Sequence, residues 1–171
     1  MRYLCFTPEF SLWYSSSLTL SLCCYSDADF AGCRLDHKST SGTCQFLGSS
    51  LVSWSSHKQS SVAQSTTEAK YVAPASCCSH LLWMIYTLRD FGLSFKRVPL
   101  LFDSTSAISV AKNPVLHSKT KHIDIRFHFL RDHYEKGDID SQNQLADILT
   151  KTLDLATFAR LRGKLGVCFP F

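Results

Sequence analysis

The chain of 171 residues is sparing with the residues that punctuate loops: it has seven Gly and five Pro. That excludes a collagen-like fibre. Charged residues make up only 19%, too few for a highly charged coiled coil, while 45% hydrophobic content excludes a disordered tail. No window approaches the ~18 uninterrupted apolar residues of a membrane span. The N-terminus lacks a signal-peptide core, because Pro8 and Glu9 break its apolar run. There is no internal repeat. An excess of one charge sign is also missing: 18 Lys+Arg minus 14 Asp+Glu gives +4, with seven His outside the sum. So mild a basic excess permits a polyanionic partner without demanding one.

Cysteine, by contrast, is abundant, with eight residues at Cys5, Cys23, Cys24, Cys33, Cys44, Cys77, Cys78 and Cys168. No pair has the C-x-x-C spacing of a zinc knuckle or a redox site. The expectation is reduced, mostly buried thiols in an intracellular protein, cytoplasmic or nuclear. The length suits one ordinary domain with short flanking pieces.

The first twenty residues mix aromatics with a Pro-Glu break and a Ser run, and read as a short helix or extended arm followed by a linker. From Leu18, apolar residues alternate with Ser and Thr up to Ser26-Asp27-Ala28-Asp29, the period of a strand. Two apolar segments, Thr43 to Leu47 and Leu51 to Trp54, flank Gly48-Ser49-Ser50 as a hairpin. Ser65-Thr66-Thr67-Glu68 has capping-box spacing and opens a helix that runs to Phe91-Gly92. Pro74 lies inside it, where proline costs ~3 kcal/mol and kinks the rod. Leu100-Leu101-Phe102 reads as a buried strand ending at Asp103. Helices are expected over Ser104 to Lys112, Lys119 to Lys136, Gln144 to Thr150 and Phe158 to Leu165. The order predicts a mixed α/β domain in which an antiparallel hairpin joins a parallel strand.

Four acids stand at element junctions: Asp27 and Asp103 end strands, while Glu68 and Asp147 lie in the first turns of helices. Ligand sites gather at strand C-termini. Carboxylates converging there suit Mg²⁺ and phosphate-bearing substrates. Each acid also has a plainer reading. Asp27 stabilises a turn, Glu68 completes the capping box, Asp103 caps the helix starting at Ser104, and Asp147 favours a helix N-terminus. Spacing alone leaves both sets of readings open. A Cys/His metal site has less in its favour, because His117, His122, His128 and Cys168 have no finger-like spacing.

The segments Tyr25 to Gly48, Leu51 to Gln59, Ser65 to Ala73, Phe102 to Asp132, Gln144 to Lys151 and Phe158 to Val167 together resemble a known family. It is the ribonuclease H region at the C-terminal end of the Pol polyprotein of copia-type LTR retrotransposons. MRYL and SLWYS resemble the segment joining it to reverse transcriptase. The resemblance implies an α/β ribonuclease H-like fold, a central mixed β-sheet flanked by helices. It implies a domain over residues 18–152, a remnant of the reverse transcriptase connection over 1–17 and a C-terminal helical tail over 153–171. The implied activity is hydrolysis of the RNA strand of RNA–DNA hybrids, with the reverse transcriptase region of Pol as a partner. The implied catalytic and metal-holding residues are Asp27, Glu68, Asp103 and Asp147, with Asp124 competing for the fourth place. The implied cofactor is Mg²⁺, two ions ~4 Å apart, with Mn²⁺ as a substitute. Lys119, Lys121, Arg126 and Arg131 are either phosphate contacts or a solvated helix face.

The sequence also departs from the family pattern. Lys70 stands where the family has Glu, Phe102-Asp103-Ser104 replaces Cys-Asp-Asn, and Pro74 replaces an apolar helix former. Gly137-Asp138-Ile139 runs into Gln144 with too little chain for a normal strand of ~5–6 residues, so the last strand is expected to be truncated. That truncation, with the starting Met, suggests a relic reading frame whose activity is weakened or lost.

Overall fold

A computed structural model describes residues 7–14, 20–96, 98–102 and 145–169. Leu22, Cys24, Ser26 and Ala28 alternate to bury one side of the central strand β2 (Leu22–Asp29). Strand β3 (Thr40–Leu47) pairs antiparallel with it, placing Tyr25 opposite Cys44 and Asp27 opposite Gly42. Gly48, at φ +63°, starts the turn into β4 (Ser50–Lys58), which pairs antiparallel with β3 through a bulge near Gln45 and Phe46. Strand β4 reaches beyond the expected Trp54 as far as Lys58, with its polar end exposed at the sheet edge.

Half of the expected capping box forms, because the Glu68 carboxylate takes the Gln64 N–H in place of the Ser65 N–H. The Ser65 hydroxyl accepts from the Glu68 N–H at 3.1 Å, and helix α1 (Thr66–Asp90) follows. It runs unbroken through Pro74, which is buried. A small-residue contact, Ala69 and Ala73 with Ala28 and Ala63, brings the start of α1 close to the end of β2. Farther along, Tyr71, Cys77, Cys78, Leu81 and Met84 pack on Leu22, Cys24 and the segment Val98 to Phe102. Strand β5 (Leu100–Leu101) returns parallel to β2, completing a mixed sheet in the order β4-β3-β2-β5. This is the expected α/β architecture.

The opposite face is covered by the C-terminal part. The helix expected over Gln144 to Thr150 is a short 3₁₀ helix (Ala146–Leu149). Helix α2 (Leu155–Lys164) begins before the expected Phe158, capped by the Asp154 carboxylate, which accepts from the Thr157 N–H at 2.9 Å. Leu145, Ala146, Leu161 and Leu165 pack on Cys44, Phe46 and Leu51. A small second sheet pairs strand β1 (Ser11–Leu12) with β6 (Val167–Cys168), so residues near the two ends of the chain meet.

The described cysteines are free thiols, and Cys24, Cys44, Cys77 and Cys78 are buried. Burial and the neighbouring Cys77 raise the Cys44 and Cys78 thiols, keeping them protonated. Among the described residues no helix is long and apolar enough to cross a membrane. The helices expected over Ser104 to Lys112 and Lys119 to Lys136, and the truncated strand expected before Gln144, lie outside the described residues.

Candidate functional site

Asp27 lies near the C-terminal end of β2, and its side chain is wholly buried, at 0% exposure. An ionised carboxylate in such a place is stable only with strong partners. The chain supplies them from three elements. Thr150, just past the 3₁₀ helix, donates its hydroxyl to Asp27 Oδ2 at 2.5 Å, a short charge-assisted bond. Lys151 Nζ stands 3.8 Å from the same oxygen, and Lys70 Nζ, from α1, stands 3.9 Å from Oδ1. Oδ1 itself accepts no hydrogen bond from a described residue.

Asp147 is the second acid at this place. Its Oδ2 pairs with Lys151 Nζ at 3.1 Å, an i,i+4 pair with the acid leading, and its buried Oδ1 also lacks a hydrogen bond among the described residues. Burial raises the Asp147 carboxyl above its ordinary pKa, and the nearby charge of Asp27 pushes the same way, while Lys151 opposes both.

Gly42 lets the two elements meet. It faces Asp27 across the β2–β3 ladder. A Cβ there would stand 2.6 Å from Thr150 Cγ2, 2.9 Å from Leu149 Cβ and 3.0 Å from the Ala146 carbonyl oxygen. Only a residue with no side chain leaves room for the 3₁₀ helix at this depth.

The structure therefore brings Asp27 and Asp147 together. Glu68 stays in the cap, where its Oε2 accepts the Gln64 N–H at 2.8 Å. Among the described residues no group of three or more His, Cys, Asp or Glu side chains is close enough to hold a metal ion. Asp103, Asp124 and the basic residues Lys119, Lys121, Arg126 and Arg131 lie outside the described residues. Thr150, Lys151 and Gly42 were not singled out from the sequence. The Thr150–Asp27 bond joins residues 123 positions apart, and no local pattern announces a contact of that range.

Beside the carboxylates an open groove of about 420 Å³ is lined by Asp29, Thr40, Ser56, Thr150, Lys151 and Thr152, among others. Hydroxyls and an ammonium there offer hydrogen-bond donors to a sugar–phosphate backbone.

No family model matches the chain. Among curated proteins, it is 39% identical over 173 residues to the retrovirus-related Pol polyprotein from transposon RE1 of Arabidopsis thaliana, covering 98% of this chain. The corresponding polyprotein from transposon TNT 1-94 of Nicotiana tabacum is 34% identical over 148 residues, covering 84% of this chain. The chain spans only 12% and 11% of the length of these relatives. Among solved structures, the N-terminal RNase H domain of a Mycobacterium tuberculosis protein, studied as a fusion with maltose-binding protein, aligns with a TM-score of 0.52 at 12% identity. That alignment covers 85% of this chain and 98% of the other, and at such low identity it speaks for the fold alone.

Proposed function

The chain is a ribonuclease H-like domain of the copia-type, retrovirus-related Pol polyprotein family, and from that premise we propose that it hydrolyses the RNA strand of an RNA–DNA hybrid. One observation carries the reading. Asp27 and Asp147, far apart in sequence, stand together with buried carboxylate oxygens that accept no hydrogen bond from a described residue. Hard, anionic oxygens in that condition suit Mg²⁺, or Mn²⁺ in its place. Asp27 and Asp147 would hold the cation, with Asp103 and Glu68 proposed to complete the set. The bound cation would supply Lewis acidity toward a phosphodiester and its attacking water.

The chain's own residues perform the remaining tasks. Thr150 fixes the Asp27 carboxylate by engaging Oδ2, which leaves Oδ1 as its available oxygen. Lys151 spans the two acids and limits their repulsion. In this reading Thr40, Ser56 and Thr152, which line the groove, meet 2′-hydroxyls and phosphates, contacts that separate RNA from DNA. In this reading residues 18–152 form the hydrolytic unit, residues 1–17 and 153–171 flank it, and the reverse transcriptase region of Pol is its partner inside the cell.

The test is cleavage of a labelled hybrid with and without Mg²⁺. Asp27→Asn should lower the rate on the order of 10³-fold or more while hybrid binding persists. Undiminished cleavage by this variant overturns the assignment.

A second reading has its own observation. The two ammonium groups within 4 Å of Asp27 favour a domain that binds the hybrid without cutting it. It requires salt-sensitive binding and no turnover at any Mg²⁺ concentration.

A further inference from the structure

A second cavity, of about 500 Å³, shares Ile148 and Leu149 of the 3₁₀ helix with the groove beside the carboxylates. Its volume is that of a small-molecule site. The two differ in kind. The groove is lined by hydroxyls and Lys151, whereas the cavity is walled mostly by aliphatic and aromatic side chains, among them Leu51, Trp54 and Phe158. The Trp54 and Phe158 rings are left 52% and 41% exposed. Covering such rings is favourable for an apolar body that fits between them.

One charged group stands in this wall. Arg162 of α2 holds its guanidinium 4.3 Å from the centre of the Phe10 ring and 5.8 Å from that of Phe169, and the two rings lie 4.8 Å apart. Stacking engages the face of a guanidinium and fixes its plane. Its N–H donors point along that plane, so the rings leave them unanswered. Nε is buried and donates no hydrogen bond to a described residue. A guanidinium held in one plane presents a fork that matches a carboxylate with two parallel bonds. A phosphate matches the fork too, but its hydrated charge and its sugar suit the polar groove, not an apolar wall.

We propose that this cavity binds a small aromatic carboxylic acid, with its ring system against Leu51, Trp54 and Phe158 and its carboxylate accepting from the Arg162 guanidinium. The site is distinct from the groove and goes beyond the hydrolytic reading. Because Ile148 and Leu149 wall both spaces, the bound acid also steadies the segment between Asp147 and Thr150.

The test titrates the full chain with 2-naphthoate and with its neutral counterpart 2-naphthalenemethanol, by calorimetry. Naphthoate, with about 13 non-hydrogen atoms, should bind with a Kd on the order of 0.1 mM. The alcohol should bind about ten-fold more weakly, since it forfeits the charge-assisted pair. Arg162→Gln should bind both ligands with the weaker affinity, and Arg162→Lys, which keeps the charge but not the fork, should fall between. Bound naphthoate should slow amide hydrogen exchange at Ile148, Leu149 and Thr150. The comparison of acid with alcohol needs no variant, so it stands even where Arg162→Gln fails to fold. Equal affinity for the two ligands, or no binding of naphthoate at millimolar concentration, overturns the proposal. So does naphthoate affinity untouched in an Arg162→Gln protein that still unfolds cooperatively, or exchange protection that spares residues 148–150.

Discussion

The two faces of the sheet are built from different materials. Under α1 most side chains are apolar or thiol, Leu22, Cys24, Cys77, Leu81, Leu100 and their neighbours, with the buried amides of Gln45 and Gln59 donating to Cys77 and to the Ala69 carbonyl. Under the 3₁₀ helix and α2 an apolar patch around Cys44, Phe46 and Leu161 gives way, at the end of β2, to Asp27, Asp147, Thr150 and Lys151. The first face gains mainly from burial, which is non-directional. The second face stakes its stability on charges that must be satisfied one by one. In this domain the face covered by one long local helix carries the fold, and the face assembled from distant segments carries the acids.

Leu81→Ala probes the first face and should have the largest effect on stability. Leu81 is fully buried, and its truncation should cost about 2–5 kcal/mol, read by denaturant unfolding. The affinity for Mg²⁺ in the folded protein should stay close to that of the parent. A large change in that affinity would break the division between the faces.

Gly42→Ala probes the second face. The added methyl has no room against Thr150, Leu149 and Ala146, and overpacking of this kind should cost about 1–3 kcal/mol. The 3₁₀ helix must retreat and take the Thr150 hydroxyl with it, so hybrid cleavage and Mg²⁺ affinity should fall more than stability does. Stability loss with an intact site would show that the two faces are not distinct in this way.

Asp147→Asn should have the smallest effect on stability, and its sign sharpens the comparison. The carboxyl is raised in the folded protein, first by burial and then by Asp27. Its ionised form therefore opposes folding above that raised pKa, and the cost fades as pH falls toward about 4, the unfolded value. The variant should melt about 1–2 °C higher than the parent at pH 7, and the difference should vanish below about pH 4. A variant that melts lower at pH 7 would mean that the pair with Lys151 outweighs burial.

What was legible in the sequence follows the same line. Strands β2 and β3 and helix α1 announce themselves through local period and a capping box, because the partners that shape them are near in sequence. The extent of β4 was not legible beyond Trp54: Ser55, Ser56, His57 and Lys58 lie at an exposed edge, where no apolar alternation is required. Pro74 signals a break, yet the small residues Ala69 and Ala73 packed near it hold α1 against β2, and the helix continues. At the site, Asp27 and Asp147 could be nominated from their positions at element ends. Gly42 and Thr150 could not, since a missing side chain and a hydroxyl become meaningful only once the strands and the 3₁₀ helix meet.

The Thr150–Asp27 bond also has a consequence in time. It closes a span of 123 residues, whereas the β2–β3–β4 meander and α1 involve neighbours in sequence. Contacts of long span come late in folding, because loop closure must precede any gain from them. During synthesis the strands and α1 leave the ribosome well before residues 145–169 exist, and Asp27 must wait beside an unfilled face. The acid is thus installed early and clamped last, which makes the arrival of the C-terminal segment the step that turns a folded sheet into a finished site.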